Sequence, residues 1–150
     1  MILKYLPKIL VFMGLIAVLV SCHSTDEQNN QNGDVLSPQM VLANKELLLN
    51  RTIRVRGIAE ADARVLCTLM ACSQENPCCN MCGAALQLCD AGSCITLSGS
   101  YSGRQVGCSG NECGLTCFPL EQGGIYQVIG VWKKLPYEQY VLKFHGIDVR

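Results

Sequence analysis

Eleven cysteines stand at positions 22, 67, 72, 78, 79, 82, 89, 94, 108, 113 and 117, and three chemistries are open to them. Cys79-x-x-Cys82 has the spacing of a zinc knuckle, and Cys113-x3-Cys117 could complete a four-thiolate site. The same C-x-x-C, opening a helix, would be a thiol-redox pair. Alternatively the cysteines are structural staples, and the compartment decides between these readings. A direct bond between adjacent Cys78 and Cys79 would force a strained ring, so Cys78, Cys79 and Cys82 are expected to have three separate partners. Other catalytic signals are absent from the sequence. The two histidines are His23, near the N-terminus, and His145, expected as a rim residue. No G-x-S-x-G, H-E-x-x-H or phosphate-binding glycine loop occurs. Glu60 and Asp62 read as solvated acids at a strand end. The expectation is a protein that is not an enzyme.

The N-terminus speaks to the compartment. Lys4 and Lys8 are followed by "ILVFMGLIAVLV", an apolar run over residues 9–20 that ends at "SC". That is shorter than the roughly 20 apolar residues a bilayer span needs. It has the basic, apolar and small-residue regions of an export signal. "LVSC", Leu19-Val20-Ser21-Cys22, resembles the bacterial lipoprotein lipobox. The resemblance implies that residues 1–21 are a signal peptide removed on maturation. It also implies that Cys22 carries a diacylglycerol on sulfur and an acyl chain on its amine, a covalent lipid and the one prosthetic group expected. Two or more chains anchor a protein stably, where one does so only marginally. His23, rather than Asp, follows the lipidated cysteine, so the resemblance implies the outer membrane if the cell is Gram-negative. Residues 22–34, rich in Asn, Gln and acids, read as a flexible tether.

Parity agrees with export. With Cys22 consumed by lipid, ten cysteines are left, all between 67 and 117, an even set that predicts up to five disulfides in an oxidising envelope. A metal site at Cys79, Cys82, Cys113 and Cys117 would need reduced thiolates, which this compartment disfavours. A thiol-redox or metal-handling lipoprotein using Cys79 and Cys82 is the alternative reading. One pairing follows from register. With Cys89 opposite Cys94, Leu86, Leu88, Ile95 and Leu97 share one face, and Gln87, Thr96 and both cysteines share the other. A one-residue slip destroys that sorting. A hairpin with a Cys89–Cys94 bond is predicted.

The scaffold that must position these residues is domain 35–150, mainly β. Ser37 and Pro38 start a short helix within 36–50, with Met40, Leu47 and Leu48 as its buried stripe. Strands are predicted at 52–60, 84–89, 94–99, 125–133 and 139–149. Gly57 marks a bend in the first, and a bulge near Gly146 restores Ile147 and Val149 to the core face. Residues 100–120 read as a stapled loop with a helical turn. Five strands in this order resemble the OB-fold, a small five-stranded Greek-key barrel. "NKELLLNRTIRVRGIAE" is similar to the entry of many bacterial envelope OB domains, and "IYQVIGVWKKL…YVLKFHGIDV" to their last two strands. The resemblance implies a ligand face around the second and third strands.

Charge narrows the partners. The chain has 12 Lys+Arg and 12 Asp+Glu. Loss of Lys4 and Lys8 with residues 1–21 leaves a net charge of −2. No global basic field exists to hold nucleic acid. Arg54, Arg56, Lys133, Lys134 and Lys143 are the candidates for a local basic patch, toward an anionic polymer or lipid headgroups. The function expected is a lipid-anchored, non-enzymatic binding or structural module of the cell envelope, held at the membrane and contacting an envelope protein or glycan.

Overall fold

The computed structural model describes residues 34–148. The predicted signal peptide 1–21, the lipidation candidate Cys22, His23 and the tether up to 33 lie outside the described residues, as does Val149. The described chain is mainly β and stapled by five disulfides. In chain order its elements are β1 (Val35–Leu36), α1 (Pro38–Ala43), β2 (Thr52–Ala61), β3 (Leu66–Cys67), β4 (Met81–Ala84) and β5 (Leu86–Asp90). Then come β6 (Ser93–Ser98), β7 (Ser100–Tyr101), β8 (Arg104–Gln105), β9 (Gly107–Asn111), β10 (Gly114–Phe118), β11 (Ile125–Lys134) and β12 (Tyr140–Ile147). The expected five strands are thus corrected to twelve among the described residues, in three sheets.

Five strands close a ring of pairings. β2 is antiparallel to β5, β5 to β6, β12 to β11 and β11 to β2, while β6 and β12 run parallel. Alternation along each strand sends Val55, Ala59, Leu86, Leu88, Ile95, Leu97, Val128, Trp132, Leu142 and Phe144 into one buried cluster. The predicted parity change in the last strand has a clear cause. Ile129 pairs with Gly146 and Gly130 with Phe144, so His145 is an extra residue in β12 and Ile147 returns to the core.

The helix is short, as expected, and spans six residues. Ser37 Oγ accepts from Met40 N at 3.2 Å and Pro38 fills the first turn, as the sequence leads one to expect. Asn44 then ends it, its side-chain amide donating to Met40 O at 2.9 Å, and residues 44–50 form turns. The expected stripe is corrected. Val41 is buried, while Met40 and Leu47 are exposed and Leu48 is half-buried.

The largest departure is a cysteine-rich arm. The segments between the expected strands, 61–83 and 100–124, are expected without a sheet of their own, yet β3, β4, β9 and β10 form a four-stranded antiparallel sheet of order β10-β9-β4-β3. These short strands mix Gly, Ser, Cys and Asn with single apolar residues such as Leu66, Met81 and Leu115, and their backbone ladders are locked by sulfur. Cys67–Cys82 crosses β3–β4 and Cys108–Cys117 crosses β9–β10, each a directly opposed pair. Cys78–Cys113 and Cys72–Cys79 tie the connecting segments. Cys108 and Cys117 face the main core, beside Val106 and Leu120.

Candidate functional site

The site begins where a strand runs out of partners. On one edge, β2 pairs with β11 from Thr52 to Ile58. On its other edge, β1 covers only Arg54 and Val55, and β5 begins only at Ile58. Arg56 and Gly57 therefore have no strand on that edge among the described residues. β5 ends at Asp90, where Ala91 and Gly92, at φ 46° and 80°, make the two-residue turn into β6. The gap between β1 and this hairpin is a cleft of about 530 Å³. Val35, Leu36, Ile58 and Ile125 supply apolar wall, and Arg56, Asp90 and Gln127 supply polar groups. Gly57 is needed at its base: a Cβ there would lie 3.0 Å from Cys89 O.

The cleft's polar groups differ in how they are held. Gln127 is fixed, its Nε2 donating to Asp148 Oδ2 at 2.8 Å, and Asp148 also pairs with Arg54 at 3.0 Å. The other ion pairs among the described residues are Arg64–Asp62 and Lys134–Glu138, and none involves Arg56 or Asp90. The cleft thus offers a guanidinium, a carboxylate and a two-residue gap in strand pairing beside apolar wall.

The predicted basic residues are distributed rather than gathered. Arg54 meets Asp148, Lys133 Nζ donates to Asn50 Oδ1 at 2.8 Å, and Lys134 meets Glu138 at 2.6 Å. The Glu138 partner raises the Lys134 pKa. Arg56 is level with Gln127, six residues along β11 from Lys133, or about 20 Å. Lys143 is exposed on β12 opposite Val131. Arg56 alone of the five lines the cleft.

The cysteine positions are also resolved. Cys89 bonds Cys94 across β5–β6, with Leu88 opposite Ile95 and Gln87 opposite Thr96 as the register predicted. Cys78, Cys79 and Cys82 go to three partners: Cys113, Cys72 and Cys67. The alternative metal set Cys79, Cys82, Cys113 and Cys117 is divided among four disulfides, which leaves no thiolate in it. Glu60, Cys89 and Cys94 do have metal-ligand spacing, with donor atoms within 4.8 Å of one another. The two sulfurs are bonded together, so Glu60 stands beside a disulfide. His145 is exposed.

One expected solvated acid is not solvated. Asp62 is buried, and its carboxylate accepts from Arg64 N at 2.9 Å, Arg64 Nη2 at 2.8 Å and Gln87 Nε2 at 3.1 Å. The hydrogen bonds from Arg64 hold its pKa below the ordinary value, with burial opposing them. A carboxylate depressed in the fold contributes stability above its unfolded pKa and loses it as pH falls through the folded value. We expect Asp62→Asn to flatten the acid limb of stability from about pH 5 downward, read as denaturation midpoint against pH. An unchanged slope would remove the Arg64 pairing from the account.

Asp90, Gln127, Ile58 and Ile125 were not identified from sequence. Arg56 is expected from sequence as part of a basic patch, and Gly57 as a bulge or sharp bend; the register of β2 against β11 runs through Gly57 without a shift, and the glycine instead admits Cys89 O close by. No protein-family model matches the chain, and no curated protein and no solved structure matches it either.

Proposed function

We propose that this protein is a lipid-anchored cell-envelope binding module, non-enzymatic, with an OB-like barrel whose ligand lies in the β2 cleft. The anchor reading rests on Leu19-Val20-Ser21-Cys22 and on the ten cysteines that pair once Cys22 is set aside. The OB-like reading is supported by the ring: a three-stranded antiparallel run β2-β5-β6, one parallel pair β6–β12, and β11 returning to β2. The observation that carries binding is the unpartnered edge of β2 at Arg56 and Gly57, set between apolar walls. An extended peptide segment of an envelope protein suits it best. A main-chain hydrogen bond to Arg56 O would help set the peptide's register, the apolar wall would take side chains, and Arg56 would take a carboxylate. An envelope glycan is the other outcome of the test.

Two measurements test this. Mass spectrometry of protein from its native envelope is expected to find Cys22 as the acylated first residue, and Cys22→Ala is expected to retain residues 1–21. An unmodified Cys22 thiol would sink the anchor. For the cleft, full-length protein is titrated with envelope peptides and with glycan fragments. The Arg56→Ala, Asp90→Ala double variant is expected to weaken binding about tenfold or more, at unchanged thermal stability. A ligand bound equally well by that variant lies elsewhere.

A further inference from the structure

The arm carries an apolar tip that the barrel does not cover. Leu66 is 80% exposed, Leu69 99%, Met70 55% and Met81 72%. Leu66 and Met81 share a sheet face, and Leu69 and Met70 lie in the segment between Cys67 and Cys72. Leu66 pairs with Gly83, which puts Leu66 and Met81 on one face as diagonal cross-strand neighbours. Met70 is fastened to the residue before Met81: its N donates to Asn80 Oδ1 at 2.7 Å, and its O accepts from Asn80 Nδ2 at 3.3 Å.

We infer that this tip is a membrane-contact element, and that Leu66, Leu69, Met70 and Met81 enter the bilayer interface and orient the domain. The inference rests on the lipid-anchored reading for its source of proximity.

Four observations support a lipid surface as the occupant. First, the tip's polar backbone is largely satisfied from within. Thr68 N donates to Met81 O at 2.9 Å, Met81 N donates to Thr68 Oγ1 at 3.0 Å, and buried Asn80 takes both polar groups of Met70. A hydrocarbon-facing loop demands this, because water is absent there to satisfy such groups. Second, Cys67–Cys82 and Cys72–Cys79 bracket Leu69 and Met70, so the side chains are held outward before contact and little ordering cost falls on binding. Third, the sheet face that includes Leu66 and Met81 continues through the strand residues Ser109, Asn111 and Thr116 without a charge, and exposed Arg64, paired with Asp62, borders it beside Leu66. Aliphatic and thioether side chains with no aromatic among them suit a fluid apolar phase better than a shape-matched protein pocket. Fourth, eleven residues lie between Cys22 and Asp34, a reach of at most about 40 Å. An acylated Cys22 keeps the arm near the bilayer at high effective concentration, where a weak insertion suffices. Glu112, whose Oε2 accepts from Asn80 Nδ2 at 2.9 Å, and exposed Glu75 put two acids on the arm, while Arg64 is paired with Asp62, so zwitterionic lipid is favoured over anionic.

The test uses the full lipid-bearing protein in phosphatidylcholine vesicles, with Leu69→Trp as probe. Trp132 is completely buried and serves as the constant reference in the same molecule. The expected result is a blue-shifted emission from position 69 and its quenching by lipids brominated along the acyl chain, weaker when anionic lipid is added. Adding Met70→Asp and Met81→Asp to the probe is expected to reduce that quenching about tenfold. A water-like, unquenched signal overturns the inference, and so does protection of the tip only by a protein partner in native envelopes. Failure of the anchor would appear separately, as absence of acyl mass on Cys22. A quenched tip in such protein would then show insertion without an anchor.

Discussion

Trp132→Ala is expected to destabilise the protein by about 3–5 kcal/mol, measured by chemical denaturation with the disulfides kept oxidised. Trp132 is completely buried on β11 and reaches across the core cluster. It also fastens three separate parts of the chain. Its Nε1 donates to Lys45 O at 3.0 Å, its backbone exchanges bonds with Asn50 and Arg51, and its ring stacks on Tyr140 at 5.8 Å. Tyr140 in turn hydrogen-bonds Glu46, so truncation opens a cavity and loosens the turn that leads into β2. Trp132→Phe keeps most of the volume but leaves Lys45 O without its donor. It should cost about 1–3 kcal/mol. A loss under about 1 kcal/mol for the alanine variant would contradict its place at the centre of the core.

The second large effect concerns sulfur. Cys78–Cys113 closes a separation of 35 residues and joins the two excursions of the arm, whereas Cys89–Cys94 closes only five within a paired hairpin. Chain-entropy reasoning gives about 4 kcal/mol for the first and about 2 kcal/mol for the second. The Cys78→Ser, Cys113→Ser variant is therefore expected to lose hydrogen-exchange protection across β3, β4, β9 and β10, with β2, β11 and β12 still protected. The Cys89→Ser, Cys94→Ser variant should lose less, because the ladder and the Ala91-Gly92 turn already hold that register. If removing the short bridge harmed the protein more, the sulfur would be acting through native-state contacts rather than through the unfolded chain.

Residue patterning accounts for what could be read in advance. The hairpin was legible because Leu86, Leu88, Ile95 and Leu97 sort to one face in only one register, and that register sets Cys89 against Cys94. β2 was legible through Ile53 and Val55 alternating with Arg54 and Arg56. The arm sheet was not, because a strand such as Gly107–Asn111 carries no apolar period; its ladder and its disulfide supply what a buried face otherwise would. Asn80 was invisible for a related reason. Its value lies in reaching Met70, Thr68 and Glu112, up to 32 residues away, and nothing local in "NPCCNMC" announces that. The cleft was hidden because it is made by what stops: β1 after two pairs and β5 at Cys89. Pattern reading finds where strands run, and says little about the point at which a neighbour gives out.

The register at the arm's root has a consequence for engineering. Ala61 and Leu86 face each other directly, so the segment 62–85 leaves and rejoins the main sheet one strand spacing apart, about 5 Å. A two-residue turn could bridge that distance. The second excursion is different, since Val106, Cys108, Cys117 and Leu120 are part of the core. A replacement for residues 62–85 would therefore have to keep what they give the rest of the molecule: the β4–β9 ladder, the Cys78 half of the bridge to Cys113, and Ala84 packed against the core. A designer's freedom lies in the exposed stretch 73–77, which carries none of these.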